Sequence, residues 1–191
     1  MNGRDFFQCV TTIVGPGNAE RYATKFGDLD GLLSEDNGIL NYEGLAFYVY
    51  TTSLSWHYKI NAELWGENPS YCVLMFREVM NKTLEKLVIY KNNGGLIYRG
   101  YKAANLEEFL TRYEVGKLVH FPGFTSAAFK EENAFGGNVF FMIRSLTARS
   151  VWFLAADFME TEVLIAAGKD FLVVDKTADQ GRAVITLEEQ P

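Results

Sequence analysis

Residues 158–168 read FMETEVLIAAG, placing Glu160 and Glu162 one residue apart at the head of an aliphatic run. The triplet Val163-Leu164-Ile165 has the composition of a strand about to be buried. Residues i and i+2 of a strand face the same side, so the two carboxylates crowd each other. Repulsion disfavours that arrangement and surface chemistry gives little reason for it, so the pair asks for a chemical role. Two more residues stand at similar strand ends. Arg99 closes the apolar run LIYRG at a glycine; it fits an ordinary solvated strand end, or a guanidinium fork held ready to grip a diphosphate bidentately. Ser126 sits among small residues in FPGFTSAAF; it fits a plain strand-edge serine, or a hydroxyl that orders a ligand or a neighbouring carboxylate. Each signal alone is weak. The order Arg, Ser, Glu-x-Glu is much more specific.

The elements that would position these residues change character once along the chain. Residues 1 to about 92 carry helical patterns in NAERYATKFGDLDGLL, GILNYEGLAFYVYTTS, SWHYKINAELWG and SYCVLMFREVMNKTLEKLVIYK. The last opens on Pro69-Ser70, a capping signal, and repeats Val73, Phe76, Val79, Met80, Leu84 and Leu87 at helical spacing. After the turn signal Asn92-Asn93-Gly94-Gly95 the runs are short, β-branched and aromatic: LIYRGY, KLVHF, NVFFMIRSL, EVLIAAG, DFLVV and RAVITLEE. DKTADQGR between the last two reads as a hairpin connection. Helices first and strands after give an α+β fold, expected as a single domain over 1–191 with residues 1–37 as a candidate N-terminal extension.

Composition removes several function classes. Apolar residues at 48% and charged residues at 22% describe a globular chain rather than a disordered one. A net charge of −6 without a basic cluster argues against nucleic acid and anionic membrane as partners. No apolar stretch approaches the roughly 20 residues that cross a bilayer. The N-terminus, MNGRDFFQCVTTIVGPG, has an interrupted apolar patch and makes a weak secretory signal. Cys9 and Cys72 are too few for a disulfide framework; the alternatives are one bridge between them or two free thiols, and free thiols are expected. His57 and His120 with two distant cysteines offer no metal-ligand spacing, so no metal is expected. No nucleophile elbow occurs, and GPGNAE is a poor match to a dinucleotide-binding glycine loop.

YRG, GFTSAAF and ETEVLIAAG resemble, in order and spacing, the arginine, serine and glutamate motifs of the mono-ADP-ribosyltransferases, specifically the R-S-E clade of vertebrate ectoenzymes and bacterial toxins. YVYTTSLSWHYKINAELW, AFGGNVFFMI and VLIAAGKDFLVV are similar to further family segments, so the resemblance covers roughly 38–175. Three departures stand out. The family's S-x-S or S-T-S is Ser126-Ala127-Ala128 here, Ala166-Ala167-Gly168 replaces a proline-rich turn, and the ectoenzymes' bracing cysteines have no counterpart.

The resemblance implies N-terminal helices followed by a two-sheet β core, and NAD as substrate with no metal. It implies transfer of ADP-ribose to a protein acceptor with release of nicotinamide. Glu162 would stabilise the positive charge that develops on the ribose, and Glu160 would bind or deprotonate the acceptor. Glu at that first position favours arginine, since Gln-x-Glu members modify other residues. Arg99 would hold the diphosphate, Gly100 the nicotinamide amide, and Ser126 would order Glu162. Phe135 would stack on the nicotinamide ring, and Tyr50 and Asn61 would line the adenosine side. The loop 150–160, with Phe158, would present the acceptor. A monomer is expected, cytoplasmic or delivered into a host cell as an effector. NAD glycohydrolysis, with water as acceptor, and a non-enzymatic binding module on the same scaffold are the alternatives.

Overall fold

The structure, a computed structural model, describes residues 3–25, 33–34, 38–52, 56–134, 136–151, 154 and 162–191. Its chain groups into two units, Met1–Val88 with Val151–Met159, and Ile89–Ser150 with Glu160–Pro191.

The first unit is helical: α1 (Gly3–Val14), α2 (Pro16–Ala23), α3 (Asn41–Thr51), α4 (Trp56–Leu64) and α5 (Tyr71–Lys86). A small antiparallel ladder of β1 (Leu33–Ser34) and β2 (Ile39–Leu40) precedes α3. The expected helix over 18–33 is therefore cut to α2, with residues 26–32 outside the described ones. The interrupted patch at the N-terminus is the amphipathic helix α1. Phe6, Cys9, Val10, Ile13 and Val14 recur at helical spacing and are buried, with Phe6 against the Phe76 ring of α5 at 5.7 Å. α5 starts where the cap was expected, the Ser70 hydroxyl accepting from the Val73 N–H. It stops at Lys86 rather than Lys91, because Ile89 bridges to Arg149 and the Tyr90 N–H donates to the Ala148 carbonyl at 2.8 Å. Those two residues belong to the second unit.

That unit holds β3 (Leu96–Tyr101), α6 (Leu106–Leu110), β4 (Leu118–Phe121), β5 (Thr125–Ala128), β6 (Val139–Arg144), β7 (Arg149–Ser150), β8 (Glu162–Ile165), β9 (Lys169–Asp179) and β10 (Arg182–Glu189). The strands hydrogen-bond in the order β4-β9-β10-β6-β3-β5-β8-β7. The two-sheet core implied by the resemblance is, among the described residues, one continuous order with a narrow waist. β3 and β5 share only the pair Tyr98↔Ala128, joining a wing of five strands to a wing of three. Ile97, Phe121, Phe141, Ile143, Phe171 and Ile185 form the centre of its apolar cluster. The expected hairpin is tighter than DKTADQGR suggested. β9 and β10 stay paired up to Asp179↔Arg182, leaving Gln180 (φ 48°) and Gly181 (φ 77°) as a two-residue turn with both φ positive.

One buried carboxylate organises the end of this sheet. Glu189 accepts from the Ser145 hydroxyl at 2.5 Å, the Leu146 N–H at 2.7 Å, the Thr147 N–H at 2.9 Å and the Thr147 hydroxyl. The Lys169 ammonium stands 3.7 Å away. The four-residue loop from β6 into β7 is thus pinned by the last residue of β10.

Candidate functional site

β8 begins at Glu162, half-buried, and runs into Val163, Leu164 and Ile165, all fully buried. β5 lies beside it, with Ser126 opposite Leu164 and Ala128 opposite Glu162. Directly paired residues share a face, so Ser126, Ala128, Glu162 and Leu164 point to one side of the sheet. Ala127, Val163 and Ile165 point to the other, into the apolar cluster. Ser126 and Glu162 are diagonal neighbours, and the Ser126 hydroxyl donates to Glu162 Oε1.

Arg99 enters from the waist. On β3 it pairs with Phe141 of β6, which places it on the face of Ile97. Continued by two residues, the β3–β5 register would bring Gly100 opposite Ser126. The strands part before that point, and Arg99 Nη1 donates to the Ser126 carbonyl at 2.8 Å. A guanidinium stands where a ladder bond would have been. Tyr113 packs into the cluster close enough to feel that charge: burial pushes its phenol up, and Arg99 pulls it part of the way back. Tyr113, a lone aromatic in the sequence, carries no local signal of a place beside Arg99.

The structure thus joins three predicted residues, Arg99, Ser126 and Glu162, that lie 27 and 36 positions apart in the chain. Gly100 lies on β3, half-buried, beside Arg99. Tyr50 and Asn61 belong to the helical unit, where the Asn61 amide donates to the Tyr50 hydroxyl at 2.9 Å and Tyr50 is 2% exposed. Glu160, Phe135 and Phe158 lie outside the described residues. Among the described residues no group of three or more His, Cys, Asp or Glu is placed to hold a metal, and no helix is long and apolar enough to cross a membrane.

This fold is that of the ADP-ribosyltransferases. The chain superposes on the type III effector XopAI of Xanthomonas axonopodis pv. citri with a TM-score of 0.78 at 16% identity, covering 99% of this chain and 87% of that one. Exoenzyme S of Pseudomonas aeruginosa, solved with human 14-3-3 beta and carba-NAD, gives 0.69 at 19% identity, covering 98% and 88%. Residues 19–191 match the sequence family described as NAD:arginine ADP-ribosyltransferase, and the chain belongs to that family. Among curated proteins it is 31% identical over 147 residues to the NAD(+)–protein-arginine ADP-ribosyltransferase Tre1 of Pseudomonas putida (strain GB-1), covering 76% of this chain. It is 35% identical over 120 residues, 59% of this chain, to Mav of Mycobacterium avium (strain 104), named for NAD(+)–arginine ADP-ribosyltransfer. The chain spans 28% and 14% of those two proteins' lengths.

Proposed function

We propose that the chain cleaves NAD at its nicotinamide–ribose bond and transfers ADP-ribose to an arginine side chain of a protein acceptor. The observation that carries this is the run Arg99–Ser126–Glu162, a guanidinium and a carboxylate hydrogen-bonded to the same serine. Membership of the arginine-specific family supports the substrate pair. So does the structure of the similar ADP-ribosyltransferase Vis, solved with agmatine, a small guanidinium compound (TM-score 0.66, 21% identity, covering 90% of this chain and 84% of that one). The likeness to XopAI supports a role as an effector.

In this reading Arg99 offers its remaining N–H groups to the diphosphate, and the Gly100 backbone meets the nicotinamide amide. Phe135 stacks on the nicotinamide ring. Bond cleavage develops positive charge on the ribose, and Glu162, held in one orientation by the Ser126 hydroxyl, stabilises that charge more in the transition state than in the ground state. Glu160 receives the acceptor. A guanidinium has a pKa of about 12.5 or more and is a poor nucleophile without a carboxylate to bind and relieve it of a proton.

The test measures nicotinamide release beside incorporation of label from NAD into protein, with a cell lysate as acceptor. Glu162→Gln is expected to lower both by a factor of about 100 to 1000, the usual effect of losing one well-placed electrostatic contact. Glu160→Gln is expected to lower incorporation steeply while release declines much less. Equal loss of both signals in both variants would sink the division of labour. Release without incorporation in the unaltered protein would mark water as the acceptor.

A further inference from the structure

We infer that Arg149, a residue outside the three motifs, is a positioning residue for Glu162, holding its carboxylate ionised and turned along the face that it shares with Ser126. The inference rests on the proposed role of Glu162 in cleaving NAD. It starts from strand register. Although β7 is two residues long, Arg149 is fixed on both edges, pairing with Leu164 of β8 and bridging to Ile89. The loop leading into it is pinned by Glu189 through Ser145, Leu146 and Thr147. Ser126 pairs with the same Leu164 from the opposite edge. Arg149, Leu164 and Ser126 therefore form one row across three strands with side chains on one face, and Glu162 is the next residue of β8 on that face.

Leu164 is fully buried and fills the middle of the row, so the polar groups on either side have Glu162 as their acidic neighbour along the strand. Diagonal neighbours in a sheet are about 7–8 Å apart. Ser126, with a short side chain, closes one such diagonal by its hydrogen bond to Oε1. Arginine has several more bonds of reach for the diagonal from β7. Arg149 and Glu162 are both half-buried, where opposite charges interact more strongly than at an open surface. The groups facing Glu162 on this side of the sheet are the Ser126 hydroxyl from β5, Tyr98 across the waist pair from β3, and Arg149 from β7, while Arg99 starts from the opposite face and reaches the Ser126 carbonyl. Glu160, outside the described residues, precedes it by two in the sequence. A cation on the β7 side opposes protonation of Glu162.

The experiment is the pH profile of kcat/KM for nicotinamide release in the unaltered protein, Arg149→Gln and Arg149→Lys. Removing the charge is expected to move the acid limb up by about one pH unit, with most of the rate recovered at higher pH. Lysine, which keeps the charge, is expected to hold the limb near its original position. A limb that stays put while the rate falls equally at every pH, or while only KM for NAD rises, overturns the inference. If the glutamine variant does not fold, Arg149→Met keeps the aliphatic packing and gives the same comparison. Absence of nicotinamide release from the unaltered protein at every pH defeats the proposed activity itself. Release with a limb indifferent to Arg149 defeats this inference alone.

Discussion

Arg99 bonds to the backbone of Ser126 through one of the five donors of its fork, with no further hydrogen-bond partner among the described residues. A lysine there could make one such contact, as a point charge without fixed geometry. Arg99→Lys is therefore expected to weaken NAD binding by about 10- to 100-fold, the worth of a charge-assisted bidentate contact. Titration calorimetry with NAD reads this directly, and unchanged affinity would remove Arg99 from the site. At this scale the sequence was most informative where a residue's neighbours in the chain set its place. Ser126 lies in a run of small residues that fits a strand edge, and Glu162 heads a run that had to be buried. It was silent on Arg149, whose place depends on pairings with Leu164 and Ile89. No local pattern encodes a two-residue strand's register.

Between residues and the whole chain, two elements are held by unusual groups. The Glu189 carboxylate satisfies the N–H groups of Leu146 and Thr147 in the loop from β6 to β7. Glu189→Ala would take the shared acceptor from these half-exposed donors and from the buried Ser145 hydroxyl, a loss of about 3 kcal/mol. For a chain of this size that lowers Tm by roughly 6–12 °C, which calorimetry would show. The second is α1, where burial, helped by Cys72, pushes the Cys9 thiol up to about 12. The unfolded chain releases that proton near pH 9 and the folded chain holds it, so ionisation favours unfolding across that window. Stability should decline from about pH 9 toward pH 12 in the unaltered protein, and Cys9→Ala should flatten that part of the profile. An identical alkaline slope in both would show that Cys9 does not titrate with unfolding. The helix itself was legible in principle. Thr11 and Thr12 made the apolar run look broken, yet they lie on its outer side and return their hydroxyls to the Phe7 and Gln8 carbonyls at 2.9 and 3.0 Å. A period of 3.6, rather than continuity, was the signal there.

For the molecule as a whole, the change from helical to strand patterns near residue 92 read correctly because both periodicities are local. The waist at Tyr98↔Ala128 did not, because it is a property of how far two distant strands stay paired. Net charge is the other property of the entire chain. At −6, the chain disfavours an anion such as NAD and favours a basic protein, which bears on the proposed reaction. The two half-reactions should then respond oppositely to ionic strength. Raising salt from about 10 mM to about 150 mM shortens the Debye length from about 30 Å to about 8 Å and screens both effects. Apparent KM for NAD in nicotinamide release is expected to fall or hold, since repulsion is relieved. Incorporation into an arginine-rich, basic acceptor at saturating NAD is expected to lose several-fold in kcat/KM for the acceptor, since steering is lost. Agmatine, a small cation that gains less from the field of an extended surface, should lose less than the protein acceptor. If both acceptors lose equally, the steering comes from charge at the site alone. If neither responds to salt, the acidic surface has no part in acceptor capture.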